Sequence, residues 1–375
     1  MVAISLFVRY RFNLRQMKIV TLINGLNNGG AEKFAVELCN ELSSNHDVYL
    51  LVKSPIKASM IPPRKISARV HLIEFNSVKK WDLLFLLKLL SWIIRLKPQI
   101  IHLHSSLLVF YTFFYPVLFR TCRIFQTIHS QVTPAYIKVL KLVKAMRMLG
   151  CKMEQVVISE KIKQDYLTAF PGIPFSVVEN GIKSLGSAVE ELNGNASRRK
   201  KLLAIGHYGP AKRFDALVTV MGMPEISARY SLEIIGEEKG DAKPVTTFIL
   251  SKALENVQLL GLQEHVVEYL KEADALVIWS SFEGMPLVML EALSVGCPII
   301  SSPVGGIPDV IVSGVNGILT KGLDQADLVE ALIGFDDLTD VQLNSIRNNN
   351  QRLFKARFSI ETCARNYECL FLGNL

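Results

Sequence analysis

The chain repeats one pattern twice: short apolar runs alternate with longer stretches of helical periodicity, and the pattern restarts near residue 201. The first series of runs comprises Lys18–Ile23, Val48–Val52, Val70–Phe75, Ile100–Leu103, Arg123–Ile128 and Val156–Ser159. The second comprises Leu202–Ile205, Leu232–Ile235, Val257–Leu260, Ala275–Ile278, Ile299–Ser301 and Gly317–Leu319. Strands that alternate with helices form βαβ units and a parallel sheet. The sequence therefore predicts an α/β fold with two doubly wound domains.

The polar stretch between the two series predicts the domain boundaries. Residues 186–200 lack clear periodicity, so we expect a linker there, between a first domain at 17–185 and a second at 201–358. Residues 1–16 precede the first predicted strand. They do not form a good signal peptide, because their apolar part is short and arginines follow it. They are either a misassigned start or a membrane-contact segment.

Residues 277–317 contain the most informative motif of the second series. Glu283 and Glu291 stand eight positions apart, around a tight turn that leads from a strand into a helix starting near Pro286. The turn and the first helical residues are Gly284, Met285, Pro286, Leu287 and Val288. Proline suits the first helical position, and the neighbouring backbone N–H groups would point out of the helix N-terminus, where a phosphate binds well. Eight helical residues rise about 12 Å, so the two carboxylates can reach different parts of one ligand.

Paired glycines follow the first predicted strand. Gly29 and Gly30 precede a predicted helix from Ala31 to about Leu42, at the end of a strand where open α/β sheets bind ligands. The sequence around them lacks the Gly-x-Gly-x-x-Gly pattern of a dinucleotide site, which argues against a dehydrogenase. The glycines either let the backbone approach a ligand closely or form a structural turn.

Side chains that can bind a sugar or an anion follow two other predicted strands. They are His129, His207, Lys212 and Arg213. His102 and His104 also lie in a strand and share one of its faces. Because no further His or Cys clusters with them in the sequence, we expect structural roles for these two rather than a metal site.

Together these motifs resemble those of the retaining GT-B glycosyltransferases of family 4. The hallmark of that family is a pair of glutamates separated by seven residues, followed by a Gly-Gly-Ile-Pro-Glu turn. The corresponding turn here is Gly305-Gly306-Ile307-Pro308-Asp309. The resemblance covers residues 17–372. It implies two Rossmann-like domains that face each other across a cleft, with a final helix within 359–375 that returns to the first domain.

The resemblance also implies substrates and residue roles. The donor would be a nucleotide-diphosphate sugar, most often a UDP-sugar, and the acceptor a growing, lipid-linked glycan of the cell surface. Glu283 would contact hydroxyls of the donor sugar, Glu291 the ribose, and His129 would position the sugar. Lys212, helped by Arg213 or His207, would neutralise the departing diphosphate, usually the largest catalytic contribution. Gly29, Gly30 and the turn at 284–288 would lie near the donor phosphates. Neither a cofactor nor a metal is expected, since the chain has no Asp-x-Asp motif.

The chain departs from the family pattern at three positions. His207 stands where the family has arginine, Lys183 where it has an acidic residue, and Asp309 where it has glutamate. A neutral imidazole supplies less positive charge than a guanidinium. His207 therefore favours an alternative function, that of a non-catalytic GT-B protein that binds a glycan or lipid and supports another transferase. The intact glutamate pair and Lys212 favour the enzyme.

Charge is unevenly distributed along the chain. Residues 1–185 contain 25 Lys and Arg against 10 Asp and Glu, whereas the remainder contains 17 against 24. The basic residues of 79–97 and 136–152 lie among large apolar side chains, which suits the surface of an anionic membrane. No motif for nucleic-acid recognition is present. The alternative is that 81–96 is a core helix with basic ends. Neither this segment nor 106–119 is long and apolar enough to span a bilayer.

Cysteine usage indicates a cellular compartment. The six cysteines are Cys39, Cys122, Cys151, Cys297, Cys363 and Cys369, and none forms a Cys-x-x-Cys pair. We expect unpaired, buried thiols in a reducing cytosol. With the basic first domain, this predicts a cytoplasmic protein that is peripheral on the inner face of the plasma membrane.

Overall fold

The computed structural model describes residues 16–27, 29–56, 65–112, 122–148, 150, 153–186, 198–237 and 243–373. Several predictions lie partly outside these ranges: the leader at 1–15, residues 113–119 of the second apolar run, residues 149, 151 and 152 of the second basic segment with its Cys151, residues 187–197 of the linker, and residues 374–375 of the last segment. Among the described residues, no helix has both the length and the apolar character needed to cross a membrane.

Seven parallel strands form the sheet of the first domain. They are β1 (Lys18–Ile23), β2 (Asp47–Val52), β3 (His71–Glu74), β4 (Ile100–Leu103), β5 (Arg123–Ile128), β6 (Met153–Val157) and β7 (Phe175–Val177). Their order is β3-β2-β1-β4-β5-β6-β7, so the strand order reverses between β1 and β4. Ligands of doubly wound sheets bind outside the strand ends at this point.

Helices cover both faces of this sheet. They are α1 (Gly30–Leu42), α2 (Leu83–Leu96), α3 (Ser106–Tyr111), α4 (Pro134–Met148) and α5 (Glu160–Ala169). α1 places Phe34 in the apolar core on one face of the sheet. By contrast, α2, α3 and α4 place Phe85, Leu108 and Leu140 in the core on the opposite face. The outer surfaces of α2, α3 and α4 therefore lie on the same side of the domain.

The second domain repeats this architecture with six parallel strands. They are β8 (Lys200–Ile205), β9 (Tyr230–Ile235), β10 (Val257–Gly261), β11 (Ala275–Ile278), β12 (Ile299–Ser301) and β13 (Ile318–Leu319), in the order β10-β9-β8-β11-β12-β13. The helices are α6 (Phe214–Met221), α7 (Pro224–Ser227), α8 (Lys243–Ser251), α9 (Val266–Glu272), α10 (Leu287–Val295), α11 (Gln325–Asp336) and α12 (Asp340–Leu353). Short 3₁₀ turns occur at Pro210–Lys212 and Ile307–Asp309. The predicted pair of doubly wound α/β domains is confirmed.

The last helix returns to the first domain, as the resemblance implied. After a π-helical turn at Phe354–Phe358, α13 (Ile360–Leu372) packs beside α1 and buries Tyr367 and Phe371. Arg123 Nη1 donates a hydrogen bond of 2.6 Å to the carbonyl of Phe371. The helix begins at Ile360, within the predicted segment, because the Ser359 hydroxyl caps it by accepting from the Thr362 N–H at 3.2 Å.

Three local predictions differ from the structure. β7 was not predicted, because this edge strand has three residues of which one is fully buried, and gives no clear pattern. The strand predicted at Val156–Ser159 lies earlier, at β6, since Ser159 instead caps α5 by accepting from the Ile162 N–H at 3.2 Å. Of the described cysteines, Cys39, Cys122, Cys297 and Cys363 are buried and unpaired as expected. Cys369 is also unpaired but exposed on α13, so the expectation of a buried thiol was wrong there.

Candidate active site

The glutamate-bearing segment connects β11 to α10 as predicted, and it differs from the prediction only in the position of its proline. α10 begins at Leu287, and Pro286 precedes it with an extended backbone (φ −66°, ψ 127°). The prediction of proline at the first helical position was wrong by one residue, because the ψ of Pro286 is extended rather than helical. No side chain caps this terminus, which leaves its first backbone N–H groups for solvent or an anion.

Lys212 and Glu283 form an ion pair beside the N-terminus of α10. Lys212 Nζ lies 2.7 Å from Glu283 Oε1, and the two side chains are 23% and 10% exposed. The Ser281 N–H donates to the carbonyl of Ala211 at 2.8 Å, which ties together the two loops that carry the pair. Gly206 gives room for the lysine stem, since a methyl group there would lie 2.8 Å from Lys212 Cε. The structure thus brings together two groups that lie 71 residues apart in the sequence.

Two glycine contacts bring the first domain against this segment. A methyl group on Gly30 would lie 3.6 Å from Leu287 Cγ, so the paired-glycine turn approaches the start of α10. A methyl group on Gly284 would overlap the carbonyl oxygen of His129, which follows β5. The ends of both sheets therefore meet around one cleft, with Gly29 and Gly30 on one side and 283–288 on the other.

Glu291 lies about one turn along α10, on the side that faces α1. Burial raises the pKa of Glu291, and the nearby Lys33 ammonium offsets part of this effect. Burial also raises the pKa of Glu37 on α1; the hydrogen bond from the Lys183 backbone N–H opposes this, and the charge of Glu291 adds to it. The second glutamate of the motif is thus linked electrostatically to the first domain through Lys33 and Glu37, which the sequence did not single out.

His129 is half-buried at the end of β5 and belongs to a group of neutral imidazoles. Its Nε2 lies 3.0 Å from His104 Nδ1, and the two rings stack with an angle of 19° between their planes. Burial lowers the pKa of His129 to about 4. At neutral pH this side chain can donate or accept a hydrogen bond at the cleft, but it carries no charge there.

The two basic candidates other than Lys212 have different surroundings. His207 is half-buried in the turn after β8 and precedes the 3₁₀ turn that ends at Lys212. Arg213 has a left-handed backbone (φ 52°), and its guanidinium carbon lies 4.4 Å from the ring centroid of the buried Trp279. Arg213 is therefore directed towards Trp279, whereas Lys212 is directed towards Glu283.

Polar contacts across the cleft involve residues that the sequence reasoning missed. Asn180 Nδ2 donates to the carbonyl of Met285 at 3.4 Å, and the Lys161 N–H, at the start of α5, donates to Asp309 Oδ2 at 2.8 Å. The aspartate that replaces the family's glutamate therefore acts as an anion at the N-terminus of a first-domain helix. The sequence signal at Asn180 is the Asn180-Gly181 pair, which is typical of a turn and indicates no contact with the second domain.

Comparison with known proteins places this architecture in a family. Residues 28–184 match the family described as Glycosyltransferase Family 4, and residues 190–352 match the one described as Glycosyl transferases group 1. N-acetyl-alpha-D-glucosaminyl L-malate synthase of Bacillus anthracis is 30% identical over 187 residues, 48% of this chain and 46% of that protein. The Vi polysaccharide biosynthesis protein VipC/TviE of Salmonella typhi is 28% identical over 110 residues, 29% of this chain and 19% of that protein.

The fold comparison extends over nearly the whole chain. The crystal structure of Anabaena HepE in complex with UDP and glucose superimposes with a TM-score of 0.75 at 17% identity, covering 96% of this chain and all of that one. The stretches matched by sequence span less than half the length of the two curated relatives. Both domains match the family, the sheets have its topology, and its motif residues meet at one cleft. The chain therefore belongs to the GT-B glycosyltransferases of the family 4, group 1 type.

Proposed function

We propose that this chain is a retaining hexosyltransferase that moves a hexose from a UDP-sugar to a growing, lipid-linked glycan of the cell surface, such as a capsule, an exopolysaccharide or a lipopolysaccharide. The observation that carries the proposal is the Lys212–Glu283 pair, 2.7 Å apart at the uncapped N-terminus of α10. A positive charge and a helix N-terminus suit a diphosphate, and an adjacent carboxylate suits sugar hydroxyls. The complex of HepE with UDP and glucose supports the choice of donor.

The proposed reaction needs stabilisation of a departing diphosphate. The acceptor hydroxyl oxygen attacks the anomeric carbon from the side on which the bond to the phosphate oxygen breaks, and its proton passes to that oxygen. No covalent glycosyl-enzyme forms. Lys212 and the start of α10 face the charge that develops on the leaving group, and no metal ion is required in this scheme. Glu283 holds the sugar, and His129 approaches it from the first domain.

A panel of nucleotide sugars tests this proposal. We expect saturation-transfer NMR to identify a UDP-sugar as ligand, and slow hydrolysis of that sugar in the absence of acceptor. Glu283→Gln should lower turnover by about a hundredfold or more, while UDP still binds. The matched control is Glu330→Gln, since Glu330 forms an exposed pair with Lys321 in the same domain. Binding without any hydrolysis or transfer would instead support the non-catalytic alternative.

We further propose that the first domain docks on an anionic membrane through α2, α3 and α4. The apolar side chains on the outer surface of this face are Trp81 (59% exposed), Leu83 (71%), Leu84 (61%) and Leu87 (55%). On its inner side, α2 buries Phe85, Leu89, Ile93 and Leu96 in the core. The helix is therefore apolar on its outer side as well as on its inner side, whereas a helix that only covers the core needs one apolar side. Lys138, Lys141 and Lys144 are exposed along α4 on the same side of the domain.

The start of α2 is held rigidly in this orientation. Lys53 Nζ, which is buried, donates to the carbonyls of Ser77 and Lys79 at 3.2 and 2.6 Å. The Asp82 side chain caps α2 by accepting from the Phe85 N–H at 3.1 Å. Trp81 also packs edge-to-face against the exposed Phe110 of α3, with ring centroids 5.3 Å apart. These apolar side chains are therefore exposed on a helix that is held firmly in place.

Vesicle co-sedimentation tests the docking proposal. Each Lys near an anionic surface contributes about 1 kcal/mol, so reversing Lys138, Lys141 and Lys144 to Glu should release the protein from anionic vesicles at low salt. The matched control reverses Lys252, Lys321 and Lys355, which are exposed on the second domain and its following turn. Hydrolysis of the nucleotide sugar should survive in both variants. Equal sedimentation of the α4 variant and the control would refute docking through this face.

A further inference from the structure

Three histidines form a cluster where β4 and β5 end, with His102 and His104 buried and His129 half-buried. His102 lies in β4, His104 two residues later, and His129 directly after the neighbouring β5. The rings of His102 and His104 have centroids 4.1 Å apart, and His104 Nδ1 lies 3.0 Å from His129 Nε2. On the other side, His102 Nε2 lies 2.7 Å from the Thr127 hydroxyl, which lies 2.8 Å from the Tyr367 hydroxyl of α13. A line of polar groups thus runs from the returning helix to the cleft.

All three imidazoles are neutral at physiological pH. Burial lowers the pKa of His102 to about 3 and that of His129 to about 4, and it holds the pKa of His104 well below the usual range. A neutral imidazole has one N–H donor and one acceptor nitrogen. The bond between His104 and His129 therefore requires that one of the two facing nitrogens carries the proton and the other does not.

The remaining nitrogen of His104 decides which arrangement is adopted. His104 Nε2 is buried and has no hydrogen-bond partner among the described residues. An unpaired buried N–H is rarer in folded proteins than an unpaired buried acceptor. The proton of His104 is thus better placed on Nδ1, where it is donated to His129 Nε2. His129 must then carry its own proton on Nδ1.

The same argument applies one step deeper in the cluster. His102 Nδ1 is also buried without a partner among the described residues, so the proton of His102 is better placed on Nε2 and donated to the Thr127 hydroxyl. The edge of the buried Phe34 ring packs against both His104 and His129, with centroids 5.9 and 5.5 Å away. Aromatic packing and hydrogen bonds together prevent the rings from rotating.

We propose that His104 is a positioning residue that fixes His129 as the Nδ1–H tautomer, so that His129 presents an N–H donor to an oxygen of the ligand in the cleft. The sugar hydroxyls of the donor are the matching acceptors, and this part of the proposal rests on the proposed function. In this arrangement His129 holds a hydroxyl oxygen and does not remove its proton, because the nitrogen left for the ligand has no free lone pair. His104 never touches the ligand.

The tautomers can be determined by NMR without any ligand. Long-range ¹H–¹⁵N correlation of the full chain with labelled histidine distinguishes Nδ1–H from Nε2–H rings. His46 is the internal reference: its Nδ1 accepts from the Met17 N–H at 3.3 Å, so its proton must lie on Nε2, 3.0 Å from Glu368 Oε1. We expect the Nδ1–H pattern for His104 and His129 and the Nε2–H pattern for His102. A proton on Nε2 of His129 would overturn the proposal.

A pair of variants separates positioning from mere packing. Asparagine can place its amide N–H where His104 Nδ1 lies, whereas phenylalanine keeps the ring and removes the donor. We expect His104→Asn to keep the Nδ1–H pattern of His129, and His104→Phe to lose it. Loss of one hydrogen bond to the sugar should weaken nucleotide-sugar binding about fivefold in His104→Phe, while binding of UDP alone stays unchanged.

The control is His46→Phe, which removes another buried imidazole of the same domain and should leave both readouts unchanged. Equal weakening of UDP and UDP-sugar binding in His104→Phe would indicate a general structural role and overturn positioning. Failure of the proposed function has a different outcome: no nucleotide sugar binds to the wild type, while the tautomer patterns are still measured.

Discussion

Acidification should destabilise the first domain by an amount set by the cluster of His102, His104 and His129. In the folded chain, His102, His104 and His129 stay neutral far below the usual histidine range, because burial lowers their pKa values. In the unfolded chain the same residues take up protons as the pH falls through about 6.5. The unfolded state then binds more protons than the folded state, so the free energy of unfolding decreases as the pH falls below that point.

The magnitude depends little on how far each pKa is lowered. Once a folded-state pKa lies well below the working pH, the loss is set by protonation of the unfolded chain alone. Each histidine then lowers the free energy of unfolding by about 1.4 kcal/mol between pH 8 and pH 5.5, and the three together by about 4 kcal/mol. Glu37 and Glu291 act in the opposite sense, because burial raises their pKa values and the folded state binds their protons first.

Comparison of variants isolates the histidine contribution from that of the carboxylates. We expect the stability lost between the two pH values to be smaller in His102→Phe and in His104→Phe by about 1.4 kcal/mol each, whatever their absolute stability. Urea unfolding followed by tryptophan fluorescence measures this loss. A Trp279→Phe background confines the signal to the first domain, which contains Trp81 and Trp92. His265→Asn is the control, because it removes an exposed histidine. If both cluster variants lose as much stability between the two pH values as the wild type does, the conclusion that these histidines are neutral in the folded chain is refuted.

Three further outcomes test the site. Activity should persist in EDTA, because in the proposed reaction Lys212 and the N-terminus of α10 would supply the positive charge at the diphosphate; complete loss that only added manganese or magnesium restores would contradict this. His207→Arg should keep or raise turnover, whereas Lys212→Ala should lower it by about a thousandfold. A large loss of turnover in His207→Arg would show that the histidine has a function that arginine cannot perform. Gly284→Ala should lower turnover more than UDP binding, because its methyl group would overlap the carbonyl oxygen of His129 and push the domains apart; unchanged kinetics would show that this contact is not needed.

Much of the fold was predictable because most strands of a buried parallel sheet appear in the sequence as short, continuous apolar runs. β1 has five buried residues out of six, and such strands appear in the sequence as continuous apolar runs. β7 lacked this signal because it is short and lies at the edge of its sheet. The boundary at Ser159 was misplaced because a serine after an apolar run fits either the end of a strand or a helix cap, and only the three-dimensional contact decides between them.

The sequence singled out several residues that the structure brings together at the cleft, but it did not predict how they pair. Glycines at fixed spacings identified the turns, because a methyl group on Gly284 or Gly305 would overlap neighbouring backbone. The sequence did not reveal that Lys212 pairs with Glu283, that Arg213 packs on Trp279, or that His104 contacts His129. Each of these contacts joins segments brought together by the sheet, so no local pattern encodes it.

On the proposed function, the Lys212–Glu283 pair would link donor binding to the readiness of the sugar site. Each group satisfies the other, with Nζ and Oε1 2.7 Å apart and both side chains largely buried. A buried charge that loses its partner is costly, so neither group is released without a replacement. In the proposed reaction, a diphosphate at α10 would offer Lys212 a stronger anionic partner, and the hydroxyls of the attached sugar would offer Glu283 donors. UDP alone would replace the partner of the lysine but not that of the glutamate. The complete nucleotide sugar would satisfy both, so we expect the pair to favour the intact donor over its product.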